Sequence, residues 1–136
     1  MPRILAVDFG ERRIGLATSD ASGSLATPRQ TLNRRDDEGV ARAILEFCRQ
    51  EEVEVIVFGI PRSPEGKESP FASRIRSFAR KLAASTPIPI HFHEETLTSD
   101  EAARRLPRKS PRESFDRMAA AVLLEDFLDH SGGKRR

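Results

Sequence analysis

Three carboxylate positions in this chain of 136 residues could do chemistry together. Asp8 directly follows the apolar run Ile4-Leu5-Ala6-Val7. It therefore falls at the carboxyl end of a strand buried on both faces, the edge where α/β folds build their sites. Gly10, two residues on, permits a close approach or an unusual turn. A turn-capping role would also account for Asp8. Glu94 and Glu95 follow a later strand and precede a helix, where plain solvation is the alternative. Asp116 borders the apolar stripe of the last helix. A carboxylate there is unusual unless it is paired or ligating, and an ion pair with Arg112 or Arg13 would explain it equally.

Three carboxylates around one cleft suit divalent-metal phosphodiester chemistry. Mg²⁺ or Mn²⁺ takes hard oxygen ligands. Two such ions, about 3.5–4 Å apart, activate the attacking water and stabilise the leaving oxygen. No protein nucleophile is then needed. Other candidates are weaker. His91 and His93 share one face of a strand and could bind a metal, and His93 could assist proton transfer beside the Glu pair. His130 is remote in sequence. No spacing resembles a structural zinc site, and no glycine-rich loop has the Walker form.

Position depends on the elements. Residues 4–7, 14–19 and 25–32 read as three strands joined by tight turns, with Pro28 arguing for an edge position. The period then changes: Val40, Ala43, Ile44, Phe47 and Cys48 mark one face of a helix over 37–51. Cys48, the one cysteine, lies on that face and reads as core. A strand over 53–58 is followed by a loop. Ser69-Pro70 then reads as an N-cap with proline in the first turn. Phe71, Ile75, Phe78, Ala79 and Leu82 line the second helix, and residues 88–92 form the fifth strand. Capping boxes at Thr98–Glu101 and Ser110–Glu113 open two more helices, the last with Phe115, Met118, Ala119, Val122 and Leu123 on one face. The order βββαβαβαα predicts an α/β fold of ribonuclease-H-like class: a five-stranded mixed sheet with helices on both faces. One domain is expected over 1–130, with a basic, disordered tail over 131–136.

Charge adds a partner class. Lysine and arginine number 23 against 21 acids, but the distribution is uneven. Residues 104–112 carry Arg104, Arg105, Arg108, Lys109 and Arg112 without an acid. Such clusters attract phosphate backbones, although a solvated surface is the plain alternative. There is no Trp or Tyr to form a base-stacking platform. No stretch has the roughly 20 apolar residues of a membrane span. No signal segment is read at the N-terminus, so the expected compartment is the cytoplasm.

Four blocks then carry a resemblance. ILAVDFGERRIGLA (4–17), VFGIPRSPEGKESP (57–70), HEETLTSDEA (93–102) and SFDRMAAAVLLEDFL (114–128) resemble, in order, the motifs of the YqgF/RuvX family. The resemblance implies a ribonuclease-H-like fold related to the RuvC resolvases. It implies a metal-dependent nuclease maturing the 5′ end of pre-16S rRNA; members are also described as candidate Holliday junction resolvases. By position, Asp8, Glu95 and Asp116 match the catalytic, metal-binding acids. The family's Asp-Glu-Arg block here reads Glu94-Glu95-Thr96, so the contact made by that arginine must come from elsewhere, with Arg12 or Arg62 as candidates. Arg12, Arg13, Arg62 and Lys67 join Arg104, Arg105, Arg108 and Lys109 as expected nucleic-acid contacts.

The leading expectation is an endonuclease on structured RNA. A resolvase of branched DNA uses the same chemistry, and a homodimer would suit it. RNA reading would require 2′-hydroxyl contacts, which no residue here identifies. An actin-like ATPase shares the Asp-x-Gly loop after a strand but needs two such domains. A non-catalytic RNA-binding factor would have no need of all three acids.

Overall fold

The structure, a computed structural model, describes residues 2–62, 66–95 and 98–134, without the side chains of 95, 98, 99 and 131–134. Its elements are β1 (Ile4–Phe9), β2 (Arg13–Ser19), β3 (Ala26–Asn33), α1 (Asp37–Glu51), β4 (Val55–Pro61), α2 (Pro70–Ala83), β5 (Ile90–Glu95), α3 (Thr98–Arg105) and α4 (Arg112–Lys134). The expected order holds throughout.

The strands form one mixed sheet in the order β3-β2-β1-β4-β5. β1 runs antiparallel to β2 and parallel to β4, and β4 runs parallel to β5. Continuous apolar sequence in β1 follows from burial on both faces. Leu5, Val7 and Phe9 enter one core with α1 and α2; Ile4 and Ala6 enter the other, under α4. The turn from β1 to β2 is closed by the Gly10 amide, which donates to the Arg13 carbonyl at 3.0 Å. A Cβ on Gly10 would lie 2.5 Å from that oxygen, so the turn requires glycine. β3 is an edge strand, as Pro28 predicts. Its pairing shifts between Leu16 and Ala17, which face Gln30 and Pro28, leaving Arg29 as the extra residue of a bulge.

Local signals start the helices on the larger core. The Asp36 carboxylate accepts from the Gly39 amide at 2.5 Å to cap α1. The Ser69 hydroxyl accepts from the Ala72 amide at 3.1 Å to cap α2, with Pro70 in its first turn. Ile44, Phe47, Ile75, Phe78 and Leu82 are then buried against Phe9, Phe58 and Ile60.

α4 departs from expectation in three ways. Its most buried residues are Ala119, Ala120, Ala121, Leu123 and Leu124, a wider face than the predicted stripe. The helix packs on the sheet and also on α3, so two sides are covered. The Ser110 capping box does not form: the Ser110 amide and hydroxyl both bond the Pro107 carbonyl, at 3.1 and 2.8 Å, and the helix opens after Pro111. The backbone of α4 also continues to Lys134, past residue 131 where the tail was expected; Arg135 and Arg136 lie outside the described residues. The capping side chains expected at Thr98 and Ser99 lie outside them too. Among the described residues, no helix is long and apolar enough to cross a membrane.

α4 comes closest to the sheet at β2. A Cβ on Gly15 would lie 1.9 Å from the Asp116 carbonyl oxygen and 3.0 Å from the Arg117 nitrogen. Backbone meets backbone here, and no side-chain rotation can make room. Gly15→Ala should therefore destabilise the fold by about 1–3 kcal/mol in urea unfolding; unchanged stability would mean that α4 can lift away freely. Cys48 is 2% exposed, and burial pushes its thiol from 9.0 up to about 11. Thiol reagents at neutral pH should label it only after unfolding. Between those two values the unfolded thiol ionises while the folded one keeps its proton, so stability should fall as pH rises. A Cys48→Ala variant should lose that part of the alkaline slope.

Candidate active site

Parallel pairing places the carboxyl ends of β1, β4 and β5 on one edge of the sheet. Asp8 is half-buried one residue before the end of β1, on the face that bears Ile4 and Ala6 and lies under α4. Its cross-strand partner is Gly15, the position over which α4 brings Asp116. Two acids separated by 108 positions (116 − 8) thus converge through one glycine. Glu95 is the last residue of β5, in register with Pro61 at the end of β4. Its backbone lies at the same edge, and its side chain and Thr96 lie outside the described residues. Glu94 is exposed and sits 3.7 Å from Arg62 in an ion pair.

The Asp116 carboxylate is 15% exposed and accepts from Arg13 Nε at 2.5 Å. This is the ion-pair partner named as the plain alternative for Asp116. It also uses the Arg13 guanidinium, expected at a phosphate, as an internal counter-charge. Such a pairing gives a poorly solvated carboxylate its counter-charge. Asp8 and Asp116 are hard donors on one face at one edge, so the residues fit the Mg²⁺ or Mn²⁺ class expected for them.

The basic residues divide into two groups. Arg12 in the β1–β2 turn, Arg62 just after β4 and Lys67 are exposed on loops. Arg12 and Arg62 stand at the edge that bears Asp8. The cluster after α3 is partly committed. Arg104 bonds Glu101 at 2.6 Å, and Arg105 bridges Glu101 at 2.9 Å and Glu125 at 2.7 Å. Arg104 and then Arg105 hold the Glu101 carboxyl below its usual range, and Glu125 and then Glu101 raise the Arg105 guanidinium above its own. Arg108 and Lys109 are exposed and make no ion pair among the described residues. Arg34 is committed elsewhere, 4.6 Å from the Phe9 ring centre and 3.2 Å from Asp37.

The histidines resolve differently from the sequence expectation. His91 and His93 do not act as a pair. His93 Nε2 bonds Asp126 on α4 at 2.6 Å, and His130 stacks its ring edge-on at 5.3 Å. The Asp126–His130 spacing of four was visible in sequence, but its meeting with β5 was not.

Over residues 2–130 the chain matches the RuvX family, described as Holliday junction resolvase. A protein of Moorella thermoacetica, provisionally named a pre-16S rRNA nuclease, is 37% identical over 135 residues, covering 96% of both chains. One from Koribacter versatilis with the same name is 40% identical over 138 residues, covering 96% of this chain and 88% of its own. In fold, the chain is similar to Thermus thermophilus RuvC in complex with a Holliday junction substrate, with a TM-score of 0.61, 12% identity and 97% coverage of each. It is similar also to the fowlpox virus Holliday junction resolvase, with a TM-score of 0.59 and 12% identity over 95% of this chain and 99% of that one. The ribonuclease-H-like expectation is borne out, and by its sequence the chain belongs to the RuvX family.

Proposed function

We propose that this chain is a divalent-metal-dependent endonuclease that hydrolyses structured RNA, with the 5′ end of pre-16S rRNA as its substrate. One observation carries the reading: Asp116 is brought over Gly15, the cross-strand neighbour of Asp8, at the edge where β5 ends in Glu95. The names of the Moorella and Koribacter relatives support the substrate. In this reading Asp8, Glu95 and Asp116 hold the ions, and Mg²⁺ or Mn²⁺ supplies charge neutralisation and an activated water. Arg13 orients Asp116 and balances its charge. Arg12, Arg62 and Lys67 bind backbone phosphates and set the register of the strand to be cut. The single buried cysteine suits a reducing compartment, the cytoplasm.

Branched DNA is the second reading, favoured by the family's description and by the likeness of the fold to RuvC. A second copy of the chain would then be needed to cut two strands. The two readings separate on substrate. Wild type should cleave a pre-16S fragment with Mg²⁺ or Mn²⁺ present, lose cleavage with chelator, and leave a four-way junction intact. Asp8→Asn should reduce cleavage on the order of 100-fold or more while the melting temperature holds. Equal cleavage by Asp8→Asn would overturn the assigned centre, and a junction cut in preference would favour DNA.

The two kinds of arginine after α3 should behave differently. Neutralising Arg108 and Lys109 should lower the slope of log affinity against log salt by about 0.7–0.9 for each phosphate they neutralise. Neutralising Arg104 and Arg105 should leave that slope nearly unchanged and lower thermal stability, because their partners are acids of the chain. A slope untouched by the first pair would make this segment ordinary solvated surface.

A further inference from the structure

The chain carries a second group of metal-ligating side chains that the acidic centre does not use. His93 on β5 and Asp126 and His130 on α4 each offer a ligand atom, and these atoms all lie within 4.8 Å of one another. We propose that His93, Asp126 and His130 bind one zinc-class transition-metal ion. The ligand chemistry selects the ion. Two imidazoles and one carboxylate suit Zn²⁺ and its first-row neighbours, whereas Mg²⁺ prefers an all-oxygen shell.

The geometry is close to what such an ion needs. Asp126 and His130 are four apart on α4, so they project from one face of the helix. His93 faces them from the sheet, its Nε2 joined to Asp126 Oδ2 at 2.6 Å. An ion would stand where that shared proton now holds them. The His93 ring is 15% exposed and braced edge-on against Phe127 at 5.7 Å. His130 Nδ1 lies 2.8 Å from the Asp126 carbonyl oxygen. A carbonyl only accepts, so Nδ1 is the donor here, and in a neutral ring Nε2 is then the nitrogen that can ligate. Ligating histidines are commonly oriented by this kind of backbone contact. A cleft of about 430 Å³, lined also by Arg62, Phe92 and Glu94, gives an ion an open side toward solvent. Three protein ligands with an open position is a common zinc arrangement.

This site is separate from the acidic centre. Asp126 follows Asp116 by ten residues (126 − 116), about 15 Å along the helix axis at the usual rise. On the sheet, His93 is two strands from Asp8, about 10 Å at the usual strand spacing. Glu95 is only two residues beyond His93 on β5, so the two centres adjoin there, but an ion at Asp126 and His130 is too far along α4 to reach Asp116. A bound ion would pin the second half of α4 to β5, the outer parallel strand.

The test is titration of the metal-free full chain with Zn²⁺ in competition with a chromophoric chelator, and with Co²⁺ followed by its visible absorption. Wild type should take up one ion that His130→Ala binds at least about 10–100-fold more weakly, with loss of the Co²⁺ absorption expected from imidazole ligands. His93→Gln should do the same, and Zn²⁺ should raise the melting temperature of wild type but of neither variant. Asp8→Asn should keep the site. His130 is 60% exposed, so its removal tests the site even if His93→Gln folds poorly. Equal affinity in wild type and His130→Ala, no uptake by wild type, or loss of the site in Asp8→Asn would each overturn the assignment.

Discussion

The close approach of α4 to β2 at Gly15 is the constraint on which the rest of the arrangement depends. A helix crossing a sheet normally stands off by the thickness of the side chains between them. Here the layer is thin: Gly15 meets the backbone of Asp116 and Arg117, and Ala6 and Ala17 on the sheet pack with Ala120 and Ala121 on the helix. The helix backbone can therefore reach the level of the strand, and Asp116 arrives beside the partner of Asp8. The opposite face is built the other way, from Leu5, Phe9, Ile14, Phe58 and Ile75. Bulk on one face anchors α1 and α2, and small residues on the other set how near α4 comes to the site.

The same crossing orders the charges. Packed at an angle over the sheet, α4 meets β2 near its first turn and β5 near residue 126. Asp116 is thereby neutralised by Arg13 at one end, and Asp126 is held by His93 at the other. The two contacts bracket the strand that bears Asp8. On the outer side of α4, Glu125 takes Arg105 and fixes α3 against the helix. Several side chains whose types suggest solvent or substrate are in fact spent on holding this helix in place.

That division explains why a basic run is an imperfect guide to binding. Residues 104–112 look uniform in sequence, but Arg105 lies between two carboxylates, one of them 20 positions away. Its charge is already balanced within the fold. Arg12 and Arg62 sit in less conspicuous sequence yet stand at the carboxyl edge. Proximity to that edge, rather than density of charge, marks the residues placed to meet a phosphate beside the acids.

Much of the fold was legible because its signals are local. The apolar run before Asp8, the helical period over 37–51, the Ser69-Pro70 cap and the strand-edge Pro28 each depend on a few neighbouring residues, and each held. The Ser110 cap was misread because the helix opens one residue later, with the Pro111 carbonyl accepting its first bonds. The breadth of the buried face on α4 was hidden because two elements cover that helix. Sequence alone determined the element order and the positions at which Asp8, Glu95 and Asp116 enter. Tertiary structure alone decided that Arg13 would neutralise Asp116, that Gly15 would admit it, and that His93 would meet Asp126 and His130. Those pairings join residues 33 to 103 positions apart, and only the packing of helix on sheet brings such distant side chains within bonding reach.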